Sequence, residues 1–173
     1  MGRSAFEQAL ADPETDKHLV LFERVRARAL VGRRTDEATL LFEGGLRGAG
    51  AIDSLDRRYF EGMLAFGGGD RDAAMRHLDE LERLARSQDA PPTSRVAACW
   101  QVAELAALVG DGERVVAWAR EGLGRGFLND EYWSSFYLFE DARHDGRLSR
   151  IAEEARRRGD ALWARARHEG LTE

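Results

Sequence analysis

The sequence predicts an all-α fold made of antiparallel helix pairs, and three observations carry that reading. The only prolines, Pro13, Pro91 and Pro92, all fall where an apolar helical pattern stops. β-branched residues are sparse, Ala, Leu, Arg and Glu dominate, and no segment alternates apolar and polar residues over a strand length. Glycine turns recur at similar intervals, at Gly32, Gly69-Asp70 and Gly110-Asp111.

A first long helix is expected over about 17–31, where Leu19, Phe22, Val25, Ala29 and Leu30 follow spacings of three and four before Gly32. A second covers Asp36 to Leu46, with Ala38, Leu41, Phe42 and Leu46 on one stripe and four glycines loosening its end. Ser54 is placed to cap a third helix over about 55–66, which stops at Gly67-Gly68-Gly69. Asp70 caps a fourth running to about Ser87, with Ala74, Leu78, Leu81 and Leu84 inward. Residues 88–93 form the clearest break in the chain.

Thr93 or Ser94 is placed to cap a fifth helix over about 95–109, closing at Gly110. A sixth covers about 112–123, and an aromatic-rich segment follows at about 130–140. The last spans roughly 147–168, with a weak point at Gly159, since helical glycine costs about 1 kcal/mol relative to alanine. Its arginines, from Arg147 to Arg167, are diluted by acidic residues and read as the solvated face of a terminal helix.

The middle unit carries the most specific pattern. Tyr59-Phe60-Glu61-Gly62-Met63-Leu64-Ala65-Phe66 sets a small Gly62 inside its first helix, Gly69-Asp70 turns the chain, and Ala74, Leu78 and Leu81 follow. Small residues at Gly62 and Ala74 let two helices approach closely. This resembles the tetratricopeptide repeat, whose unit is 34 residues long; the turns here are 37 and 41 residues apart. The third unit departs from the pattern, with Val115 in place of the second helix's usual alanine, and the first departs with Val25 in place of the small residue. The segment from Gly126 through Trp133, Phe136, Asp145-Gly146-Arg147-Leu148 and Ile151 is similar to tails that close such arrays in bacterial proteins.

The resemblance covers about residues 17–155. It implies one domain over 1–173, a right-handed superhelix of about three helix pairs (17–48, 54–87 and 94–124). An aromatic closing segment and a capping helix complete it over 127–170. It implies a protein–protein interaction scaffold that holds a peptide or partner helix in a concave groove. By the same resemblance the first helix of each pair lines that groove, through Phe22 and Arg26, Tyr59 and Met63, and Trp100 and Glu104. Of these, Arg26 and Glu104 are expected to stay exposed, because unpaired charge is costly to bury. The cluster Tyr132, Trp133, Phe136 and Tyr137 either plugs the end of the array or forms a second interface, in a homodimer or with a partner. The alternative function is a regulatory or sensor module, cut from a larger bacterial signalling protein, that binds a small ligand or self-associates.

Composition narrows the rest. A 43% hydrophobic, 33% charged chain is globular in character, and no apolar run approaches the roughly 18 residues of a membrane span. Residues 1–15 lack the apolar core of a secretory signal, so a cytoplasmic location is expected. A net charge of −5 disfavours nucleic acid as the partner. His18, His77, His144 and His168 are scattered without metal-ligand spacing, and Cys99 alone cannot form a disulfide or a thiolate cluster. Gly67-Gly68-Gly69-Asp70 follows a helix and lacks the Gly-Lys-Ser/Thr of a phosphate loop. No catalytic residue, metal or cofactor is expected.

Overall fold

A computed structural model describes residues 54–87, 92–144 and 146–169. Within these residues the chain is helical apart from short turns and contains no strand. Seven α-helices follow in order: α1 (Ser54–Gly67), α2 (Arg71–Arg86), α3 (Pro92–Leu108), α4 (Gly112–Gly124), α5 (Asp130–Ser135), α6 (Glu140–Arg143) and α7 (Arg147–His168). A 3₁₀ turn, Tyr137–Phe139, separates α5 from α6. The expected pair over 17–48, with Phe22 and Arg26, lies outside the described residues. The chain divides into two compact units, Met1–Glu80 and Leu81–Glu173, so the boundary falls inside α2.

In the first unit, α1 turns into α2 through a tight glycine corner. Gly69 has φ +86°, a conformation that a Cβ disfavours. Its N–H donates to the Phe66 carbonyl at 3.0 Å, and the next N–H, of Asp70, donates to the Ala65 carbonyl at 2.9 Å. These bonds satisfy the carbonyls that a helix end leaves open. The Asp70 carboxylate then accepts from the Ala73 N–H at 2.8 Å and starts α2. Leu55, Tyr59, Phe60, Gly62 and Met63 are the buried face of α1. Ala74 and Leu78 of α2 are fully enclosed. Burial of a side chain such as Leu78 stabilises the unit by about 1.5–3 kcal/mol. On the polar side Arg58 bridges Glu61 at 2.6 Å and Glu80 at 3.0 Å.

The second unit is built around α3. Its sequence is apolar on nearly every face, and such a helix must be enclosed; Ala98, Cys99 and the whole run Gln101–Ala106 are buried. Pro92 opens this helix, three residues ahead of the expected start, where its fixed φ and missing N–H cost nothing. The corner into α4 repeats the first one. Gly110, φ +79°, donates to Ala107 at 3.1 Å, Asp111 donates to Ala106 at 2.8 Å, and the Asp111 side chain accepts from the Arg114 N–H at 3.1 Å. Every donor and acceptor in it stands 41 residues after its counterpart in the first corner.

α3 packs along α4, and α7 covers α4 and α5. α4 ends like α1, with Gly126 at φ +92° and the Phe127 N–H donating to the Gly122 carbonyl at 2.8 Å. Asn129 caps α5 by accepting from the Tyr132 N–H at 2.9 Å. α7 starts at Gly146, φ +72°, and buries Leu148, Ile151, Ala152 and Ala155. It runs unbroken through Gly159, contrary to the expected weak point. Intrahelical pairs hold that stretch: Arg156 with Glu153 and Asp160, and Arg157 and Arg158 with Glu154.

Candidate functional site

Of the residues expected to line a groove, Tyr59 is 1% exposed and Met63 is fully enclosed. The Tyr59 ring meets Phe60 edge-on at 5.1 Å, so both are core side chains of the first unit. Trp100 is half-buried. Glu104, expected to be exposed, is the one that differs most: its relative exposure is 0%. It sits on the enclosed helix α3 between Ala103 and Leu105, and burial of such a group requires a hydrogen-bond partner. The Tyr132 hydroxyl donates to its Oε1 at 2.5 Å, across 28 residues of sequence.

Tyr132 belongs to an aromatic cluster that α5 and the 3₁₀ turn carry onto α3 and α4. Trp133 and Phe139 are fully enclosed and stack with centroids 5.5 Å apart, 28° from parallel. Phe127 meets Trp133 edge-on at 5.4 Å, and Tyr132 stacks on Phe136 at 5.0 Å. Gly122 makes room for this packing: a Cβ there would stand 3.3 Å from the Cys99 Cβ and 3.5 Å from the Trp133 ring. Trp133 therefore points into the fold. Tyr132 and Phe136 keep part of their surface, and the Tyr137 side chain lies outside the described residues.

Other polar groups of the second unit are also committed to structure. The Trp118 indole N–H donates to Glu82 at 3.1 Å, with the Arg86 guanidinium over the ring at 5.2 Å. Arg86, Ala117, Trp118 and Glu121 border a small open depression. Arg125 bonds Glu121 at 2.8 Å and reaches the Ala85 and Arg95 carbonyls at 3.5 and 3.3 Å. Cys99 is buried, and its thiol donates to the Arg95 carbonyl at 3.3 Å. Burial pushes that thiol up to about 11, against the opposing pull of the Arg125 charge, so it is protonated at neutral pH.

Among the described residues no group of three or more His, Cys, Asp or Glu side chains is placed to hold a metal ion. No described helix is long and apolar enough to cross a membrane. Among the described residues, large apolar side chains stand exposed on the second half of α7, where Leu162 is 53% and Trp163 62% exposed. Residues 156–169 there are exposed or half-exposed throughout. No family model matches this chain, and no curated protein or solved structure is significantly similar to it.

Proposed function

We propose that this chain is a helical repeat module of the tetratricopeptide type, and that it binds a protein partner rather than catalysing a reaction. The observation that supports this is the corner shared by α1–α2 and α3–α4. Both use a left-handed glycine, the same two backbone bonds and the same aspartate cap, with all partners displaced by 41 residues. Recurrence of one helix-pair corner is a mark of units that bury their faces by stacking, and such stacks present extended surfaces to partners.

The burial of Tyr59, Met63 and Glu104 removes them from the surface such a module would offer, which leaves Trp100 among the described groove candidates. Reversing the charge at Glu104 is thus no test of binding, because an arginine there would enter the core. The suitable test immobilises the full chain, exposes it to lysate and identifies retained proteins by mass spectrometry, with excess free chain as competitor. One or more proteins displaced by the free chain is the expected result. Retention of nothing above the bare support, together with a thermal shift caused by small metabolites, would overturn the reading in favour of a ligand sensor.

A further inference from the structure

We infer that Arg125 is a latch: reaching back from the end of α4, it ties the first turn of α3 to the last turn of α2, and its release opens the way to Cys99. This goes beyond the protein-binding reading and does not depend on it. The foot of the latch is fixed. The Arg125 N–H donates to the Glu121 and Gly122 carbonyls at 3.0 and 3.1 Å, and the left-handed Gly126 follows at φ +92°. The guanidinium divides its donors. Its Nε bonds the Glu121 carboxylate at 2.8 Å, while Nη1 donates to the Ala85 carbonyl at 3.5 Å and the Arg95 carbonyl at 3.3 Å. One half-buried side chain thus joins three helices across 30 and 40 residues of sequence.

The two carbonyls do different work. Ala85 lies in the last turn of α2, where carbonyls have no partner within the helix and attract a cation. Arg95 lies in the first turn of α3, and its carbonyl also accepts the Cys99 thiol at 3.3 Å. That turn is weakly supported by its own sequence. It carries no acidic residue, and Arg95 sets a positive charge at the positive end of the helix. Residues 94–97 are only half-buried, whereas Ala98 and Cys99 behind them are enclosed. A helix end with so little support opens more readily than the core it leads to. The turn that Arg125 holds is therefore the turn that screens the sulfur.

The test follows the reaction of Cys99 with a thiol reagent at pH 8 in the folded full chain. Arg125→Ala should react about tenfold faster than the parent or more, at a rate nearly flat in low urea, which marks a local opening. Electrostatics alone predicts the opposite sign. The Arg125 charge favours the thiolate, so its loss by itself leaves less of the reactive form and slows the reaction. Arg156→Ala removes an exposed arginine elsewhere and should react like the parent. A rate for Arg125→Ala equal to or below the parent's overturns the proposal. So does a rise that climbs with urea as steeply as global unfolding, because the variant is then only less stable. If Arg125→Ala fails to fold, Arg125→Lys takes its place. It keeps the charge but offers one nitrogen where the guanidinium uses two, so it should still react faster than the parent, and a parent-like rate overturns the latch.

Discussion

At the scale of single residues, the fate of Glu104 shows how far a side chain's type misleads about its place. Charged residues are rarely enclosed, and nothing local marks Glu104 as an exception. Its partner, Tyr132, is 28 positions away on an element whose fold had no periodic signal. The one usable sign was α3 itself: a helix apolar on all faces encloses whatever polar residue it carries. Tyr132→Phe removes a donor from a buried carboxylate and should cost about 1–3 kcal/mol of stability by urea unfolding. A loss below about 0.5 kcal/mol would show that Glu104 does not depend on that hydroxyl.

Cys99 offers a second residue-scale prediction, with a definite sign. Its folded value of about 11 lies above the ordinary 9.0, so the unfolded chain releases the thiol proton first as pH rises. The contribution is complete below pH 9 and is lost between about 9 and 11. Cys99→Ala should therefore show a shallower fall in its urea midpoint over that range than the parent chain. In the parent, a thiol reagent at pH 8 should react only after denaturant is added.

At the scale of elements, the corners were the most legible feature, because glycine and aspartate do specific work there that few other residues do. Gly69-Asp70 and Gly110-Asp111 were marked as turns by composition, and each supplies a left-handed cap followed by a side-chain N-cap. The start of α3 was less legible, since Pro91-Pro92 reads as a break while proline also opens helices. The glycines of the first corner are not equivalent. Gly69→Ala meets no atom within 4 Å, so its cost is the backbone strain alone, about 1–2 kcal/mol. Gly68 is not left-handed, and Gly68→Ala should change stability by less than about 0.5 kcal/mol. Equal losses in thermal melts of the two variants would contradict the assignment.

Gly159 is a helical glycine of a different kind. It has open space around its Cα and sits where α7 is held by exposed arginine–carboxylate pairs. Gly159→Ala should favour the helix locally by about 0.5–1 kcal/mol. The gain should appear as increased far-ultraviolet helicity, with the global unfolding midpoint nearly unchanged, because α7 beyond Ala155 contributes little to the core.

At the scale of the whole chain, the helical class was legible because one period, repeated from element to element, leaves no room for strands. What was not legible is which helices the fold encloses. Tyr59 and Met63 follow the spacing of an inner face, yet that spacing is the same for a groove and for a core, and only packing separates them. The reverse holds for α7, whose stripe continues past the point where the body stops covering it. Charge is a property of the whole: at net −5 and an isoelectric point near 5.5, solubility should be lowest close to pH 5.5 and recover on either side. Turbidity across that range checks it.

The length of α7 has a last consequence. From Ala155, its last buried residue, to His168 the helix extends about 20 Å, and none of the described residues after Ala155 is buried. A stretch of that length is marginal in water, even with its ion pairs. Exchange of its backbone hydrogens with deuterium should quicken stepwise toward the C-terminal end, while amides before Ala155 stay slow. The arm is thereby a built-in reporter: anything that seats on it will flatten that gradient before it alters the rest of the molecule.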